Sequence, residues 1–213
     1  MTLLARKDGT SVSDFRAYWA GCHANLALCM NGISSYTQNR VDKILWRRSD
    51  NQGCFHVDGV VELCFKDENV MLEAQASAVG SKYIPEDEPN FLRGWTLCVV
   101  DNDDEQAEPK GVKVIVPLVM KTTVSRSDLK QALIEVNDAQ NSPARLSFNW
   151  TTRTASRARL WSEPRPPDAI VSLWFENVAE AHAAFDPKGG YEQTLLSIAE
   201  RAAAYLINTH VVK

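Results

Sequence analysis

The chain lacks most of the features that would assign it to a familiar enzyme class. No apolar run approaches the ~18 residues of a membrane span, and no basic cluster is longer than Arg47-Arg48. With a net charge of −4 there is no electrostatic footprint for nucleic acid. Five cysteines, Cys22, Cys29, Cys54, Cys64 and Cys98, are odd in number, lie in the first half and have no CxxC spacing, which fits reduced thiols rather than a disulfide frame or a zinc site. MTLLARKDG has only a few apolar residues before its charges, unlike a signal peptide, so the expected location is the cytoplasm. Without a secretory signal the tripeptide Asn149-Trp150-Thr151 has no meaning as a glycosylation acceptor. There is no GxGxxG after a strand, no phosphate loop, no HExxH and no GxSxG, so nucleotide cofactors, metal and the common hydrolase chemistries have no motif to support them.

What is present is ordinary globular composition, 45% hydrophobic and 23% charged over 213 residues, and an internal repeat. DGVVELCF from Asp58 is matched by DAIVSLWF from Asp168, an offset of 110. SVSDFRAYW from Ser11 is matched by SRSDLKQAL from Ser125, an offset of 114, so that Phe15, Trp19 and Cys22 correspond to Leu129, Leu133 and Val136. WTLCVVD and INTHVVK align at an offset of 112. Three blocks in one order at nearly constant offset indicate two copies of a unit, 1–100 and 112–213, joined by the acidic, apolar-poor stretch 101–111.

Within the first copy the patterning predicts a strand over Thr2–Arg6 and a helix capped by Ser11 or Ser13 and running to about Cys29. Strands follow at Ile33–Val41 and, after a hairpin-like excursion at 50–53, at Val57–Phe65. A helix near 68–77, a loop around Pro85 and Pro89 and a strand Trp95–Val100 complete the unit. The second copy predicts strands near 113–120, 145–154, 168–175 and 208–213, with helices near 127–139, 178–185 and, clearest of all, 191–205. The expected fold is α+β: two ferredoxin-like βαββαβ repeats whose antiparallel sheets face each other as an intramolecular α/β barrel, with helices outside and a ligand-sized interior.

GTSVSDFRAYWAGCHANL followed by ISSYTQNRV, then DGVVELCF and PEDEPNFL, resembles the EthD family of the dimeric α/β-barrel superfamily, over roughly residues 1–100. The resemblance implies small hydrophobic or aromatic molecules in catabolism or polyketide biosynthesis. Superfamily relatives include cofactor-free isomerases, cyclases, dehydratases and monooxygenases as well as haem-binding members, so the resemblance does not select a reaction. It also implies that whole barrels pair as homodimers.

Two residues stand out. On a helical wheel Phe15, Trp19, Cys22, Leu26 and Cys29 share a face and His23 lies about 80° from Phe15, at its border. His23 is either a core-edge histidine satisfied by backbone groups or a functional imidazole. The repeat has Asn137 at that position with the apolar face kept, so the fold does not require a histidine there. In VVELCF, alternation places Glu62 opposite Val61 and Leu63, pointing into the barrel, where a carboxylate is costly unless paired, with Arg6 or Arg40, or functional. Ser172 and Trp174 occupy the matching face in the repeat.

These residues suggest cofactor-independent acid–base chemistry, as a lyase, isomerase or cyclase, on a small hydrophobic aromatic, lactone or polyketide-like compound. His23 is the expected general acid/base and Glu62 its partner, with Arg6, Tyr36, Asn39, Cys64, Trp174 and His210 as candidate substrate contacts and no metal ligand set. Which face of the strand carrying Tyr36 and Asn39 lies inside is open. A haem-binding or cofactor-free monooxygenase, with His23 or His210 as axial ligand in the haem case, and a non-catalytic hydrophobic-ligand carrier are the alternatives.

Overall fold

The computed structural model describes residues 1–48, 55–102 and 110–213. The expected hairpin at 50–53 and most of the acidic stretch read as a linker fall outside them. Strands β1 (Thr2–Arg6), β2 (Ile33–Arg47), β3 (Gly59–Phe65) and β4 (Leu92–Asn102) form the first half-sheet. Strands β5 (Val112–Met120), β6 (Arg145–Ser156), β7 (Ala169–Phe175) and β8 (Ala199–Val211) form the second. Within each half the order is that of a ferredoxin-like unit, and the edges join as β2–β8 and β4–β6, giving the closed antiparallel barrel β1-β3-β2-β8-β5-β7-β6-β4.

The helices lie outside. Ser11 caps α1 (Val12–Tyr18) by accepting from the Asp14 N–H, and Ser125 with Asp128 forms a capping box on α5 (Arg126–Asp138). The remaining helices are α2 (Ala24–Ala27), α3 (Glu68–Ala76), α4 (Ile84–Asp87), α6 (Val178–Ala184) and α7 (Tyr191–Ile198). Between α1 and α2, Trp19–His23 winds as a π-helix. That wide turn advances the helix face by one residue: Phe15, Trp19, His23, Ala27 and Met30 are buried, whereas the expected face members Cys22 and Cys29 are exposed. The segment around Pro85 and Pro89 is a series of helical turns over 79–90 rather than a loop.

The helix expected over 191–205 ends at Ile198, and AERAAAYLINTHV continues as β8. Its alanines favour a helix locally. As the strand between β2 and β5, however, β8 closes the barrel, and Ala199, Ala202, Ala203 and Ala204 are all buried. Tertiary pairing overrides propensity here.

Three clusters make up the core. One fills the barrel lumen with Leu3, Val60, Cys98, Ile115, Ile170 and Tyr205 among others. The other two lie between sheet and helices, around Trp19, Tyr36 and Phe91 in the first repeat and around Leu133, Phe148 and Tyr191 in the second. Trp19 packs against Gly59, where an added Cβ would come within 2.5 Å of its ring. The matching positions in the second repeat are Leu133 and Ala169, a smaller side chain facing a larger one, and both are buried. Gly59→Ala should therefore cost about 1–3 kcal/mol through overpacking, read as a lower urea midpoint. Combining it with Trp19→Leu, which copies the second repeat's pair, should restore part of the Ala penalty.

Candidate active site

Sheet alternation divides the chemistry of the first repeat between two compartments. Val61 packs with Trp19 and Tyr36 beneath the helices, and Val60 packs in the lumen, so along β3 Glu62 faces the lumen and Leu63 the helices. The register of β2 against β3 sets Thr37 opposite Glu62 and Asn39 opposite Val60, which puts both in the lumen, while Tyr36 and Gln38 face outward. One cavity of about 1010 Å³ serves both sides. β1 pairs with β3 only as far as Val61 and with β4 only as far as Leu97, and the cavity crosses the sheet between Glu62–Phe65 and Cys98–Asn102. Its outer wing lies between sheet and helices and is lined by His23, Met30, Tyr36, Ile84, Leu92 and Trp95. Its inner wing lies in the lumen, lined by Glu62, Lys113, Ser147, Ser172 and Trp174.

His23 is buried at 8% exposure and lines the outer wing. Its Nδ1 lies 2.8 Å from Asp87 Oδ2, and its ring packs against Phe91 at 4.7 Å between centroids. The Tyr18 hydroxyl donates to Asp87 Oδ1 at 2.6 Å, and Asn90 Nδ2 donates to the same oxygen at 3.2 Å. A carboxylate can only accept, so Nδ1 carries a proton in this hydrogen bond, and in the neutral imidazole the lone pair is on Nε2. Among the described residues no protein group bonds Nε2. The hydrogen bond from His23 is the largest influence holding the Asp87 carboxyl below its ordinary range, with those from Tyr18 and Asn90 adding to it. The same Asp87 contact raises the Tyr18 hydroxyl, keeping it a donor.

Beside this dyad, Glu88 is 2% exposed, and its Oε2 accepts from Arg157 Nε at 3.0 Å. Burial raises its carboxyl, with Arg157 and His23 opposing. Arg157 follows β6 of the second repeat and stacks on Trp95 at 4.4 Å, so the diverged half contributes a wall to the first half's cleft.

The structure does not bring the expected pair together: His23 and Glu62 lie on opposite faces of the sheet. Glu62 pairs with Lys113 Nζ of the second repeat at 2.6 Å, not with Arg6 or Arg40. Arg6 contacts Asp58 and the Thr10 carbonyl and lines a separate cavity of about 330 Å³, so it is not a contact of the main cavity. Tyr36 lines the outer wing with its hydroxyl accepting from Trp19 Nε1 at 3.2 Å and from Gln38 Nε2 at 3.1 Å. Asn39 is fully buried in the lumen, donating to the Val60 carbonyl at 3.2 Å. Cys64 and Trp174 line the inner wing. His210, paired in register with Gln38, takes the outward face and does not line the cavity, so it neither enters the barrel nor serves as an axial ligand there. The residues that sequence reading missed are Asp87, Tyr18, Glu88, Arg157 and Lys113. The adjacent carboxylates of PEDEPNFL, set against an apolar Phe91-Leu92, were the available signal for two of them.

The matching cleft of the second repeat is filled. Asn137, at the place of His23, accepts from the Tyr191 hydroxyl and the Ala144 N–H, both at 2.8 Å, and Tyr191 stacks on Phe185. The outer wing therefore belongs to one repeat only.

Two measurements test the dyad. Imidazole ¹⁵N spectra should show His23 with its proton on Nδ1 in the wild type and a mixed tautomer in Asp87→Ala. Because the folded Asp87 carboxyl titrates below its unfolded value, near 4, its stabilisation is complete above that pH and is lost as pH falls through the folded value. Asp87→Asn should thus be less stable than wild type at about pH 6, and the gap should close toward pH ~2 in urea denaturation.

Residues 7–94 match the family model described as EthD domain. No curated protein matches the chain in sequence. Among solved structures it is similar to an anthrone oxidase-like protein, at 10% identity and a TM-score of 0.58 over 99% of this chain and 91% of the other. A candidate chlorite dismutase follows at 8% identity and a TM-score of 0.55, covering 97% and 93%. A candidate monooxygenase from Lactobacillus acidophilus NCFM has 8% identity and a TM-score of 0.50, covering 99% and 92%. At such identities the likeness establishes the fold alone. Among the described residues no helix is long and apolar enough to cross a membrane. The stretch that matches the EthD domain, residues 7–94, carries His23, Asp87 and Glu88 and lies within a closed α/β barrel.

Proposed function

We propose that the chain is a cofactor-independent acid–base enzyme acting on a small hydrophobic aromatic, lactone or polyketide-like compound held in the outer wing, with His23 as the base. The observation that carries this reading is the 2.8 Å contact between His23 Nδ1 and Asp87, which leaves Nε2 toward a cleft walled by Met30, Ile84, Leu92 and Trp95. Nε2 takes the proton of an acidic C–H or phenolic O–H. Asp87 remains ionised and stabilises the imidazolium, and the substrate anion then isomerises, cyclises or expels a leaving group as the imidazolium returns the proton. Tyr18 and Asn90 act through Asp87 by fixing its carboxylate.

Proton abstraction is also the first step of a cofactor-free oxygenase, in which the carbanion reacts with O2. The same base serves both, and oxygen consumption separates them. Haem fits the residues poorly. His23 is the only imidazole among the residues lining the main cavity, and of its wall cations Lys113, Arg145 and Arg157 the first and last are paired with Glu62 and Glu88, so propionates drawn to those two would have to break the ion pairs.

The test is turnover of a panel of phenols, lactones and polyketide-like compounds, followed by mass spectrometry with and without O2. His23→Ala should lower the rate about 10²–10⁴-fold, and Asp87→Asn should lower it while leaving binding intact. A compound that binds without turnover, with affinity unchanged in His23→Ala, would overturn the enzyme reading in favour of a carrier. A Soret band on haemin addition, lost in His23→Ala, would overturn the cofactor-free reading.

A further inference from the structure

Glu62 and Lys113 are not used by the chemistry assigned to His23, yet they pair inside the lumen, with side-chain exposures of 26% and 7%. Lys113, from β5, is 7% exposed, and its ammonium carries three N–H donors. One goes to Glu62 Oε1 at 2.6 Å, and the group lies over the Trp174 ring at 5.2 Å. Glu62 Oε2 has no protein hydrogen bond among the described residues. The hydroxyls of Ser172 and Thr37, at 1% and 8% exposure, line the same wall and are likewise without protein hydrogen bonds among the described residues. Thr37 stands opposite Glu62 in the β2–β3 register, and Ser172 stands opposite Ser147 in the β6–β7 register.

A partly enclosed ion pair adds little to stability, since desolvation offsets its attraction. Buried polar groups are normally satisfied. Here a cation with unused donors, a carboxylate oxygen and two hydroxyls without protein hydrogen bonds among the described residues, and an indole line one open volume. On the other side, the apolar lumen cluster of Leu3, Val60, Ile115 and Ile170 fills the rest of the barrel.

We propose that the inner wing is a second binding site, separate from the His23 cleft, for a small planar hydroxyaromatic acid. Its carboxylate accepts from Lys113 Nζ and the Ser172 hydroxyl, its neighbouring hydroxyl donates to Glu62 Oε2, and its ring lies against Trp174. The pairing explains why Glu62 and Lys113 come from different repeats: a bidentate acid needs a donor and an acceptor facing each other across the lumen. Neither half-sheet holds both.

The experiment is calorimetric titration of the full chain with 2-hydroxybenzoate, benzoate and phenol. The variant Glu62→Leu/Lys113→Met replaces the ion pair by apolar side chains of similar size and so preserves the fold, verified by thermal melting. Wild type should bind 2-hydroxybenzoate more tightly than either benzoate or phenol, and the double variant should bind it at least about tenfold more weakly, about 1.4 kcal/mol. His23→Ala should bind it as wild type does, whatever becomes of turnover. Absence of binding to wild type, unchanged affinity in the folded double variant, or loss of binding in His23→Ala would each overturn the assignment, the last by placing the probe in the outer wing.

Discussion

Each four-stranded repeat leaves two edge strands with unpaired N–H and C=O groups, and the molecule satisfies all four edges by pairing the repeats with each other through β2–β8 and β4–β6. Everything else depends on that closure. It fixes which face of each strand looks inward and so sorts side chains into lumen and helix layer by parity alone. It also brings Lys113 of one repeat to Glu62 of the other and Arg157 to Glu88. Closure explains why AERAAAYLINTHV is a strand: as a helix it would leave β2 and β5 each with an open edge.

The two repeats share a backbone plan and differ in what they do with their outer layer. In the first, Trp19 lies on Gly59, a π turn swings His23 onto the buried face, and open volume remains in front of it. In the second, Leu133 sits over Ala169, the helix stays α throughout, and Tyr191 with Phe185 occupies the corresponding space. Asn137 then meets the hydrogen-bonding needs of Ala144 and Tyr191. The second repeat thus acts as scaffold and supplies side chains to a cleft that is not its own.

The fold was legible because hydrophobic period and internal repetition are properties of many residues at once: element order, β1 and the parity of Glu62 follow from VVELCF and its partner blocks. The misreadings arose where one residue or a long-range pairing decides. The π turn shifted the buried set from 22, 26 and 29 to 23, 27 and 30, an insertion that a uniform wheel cannot represent. Strand β8 was hidden by alanine's helical propensity, and the partner of Glu62 could not be named because Lys113 is 51 residues away and meets it only across a closed barrel. Asp87 lay in a proline-rich segment that local signals mark as loop.

Separation of His23 from Glu62 by one sheet has a chemical consequence. In a shared pocket a nearby carboxylate and an ammonium would both act on the imidazole, and the direction of its proton would depend on their sum. With Glu62 turned inward onto Lys113, that pair lies across the sheet from His23, whose neighbouring carboxylates are Asp87, fixed by Tyr18 and Asn90, and the Arg157-paired Glu88. The period of two along β3 is therefore what places His23 and the Glu62–Lys113 pair in different wings of one cavity. Moving the carboxylate by a single residue, to Leu63, would bring an unpaired anion into the helix-side layer and merge the two.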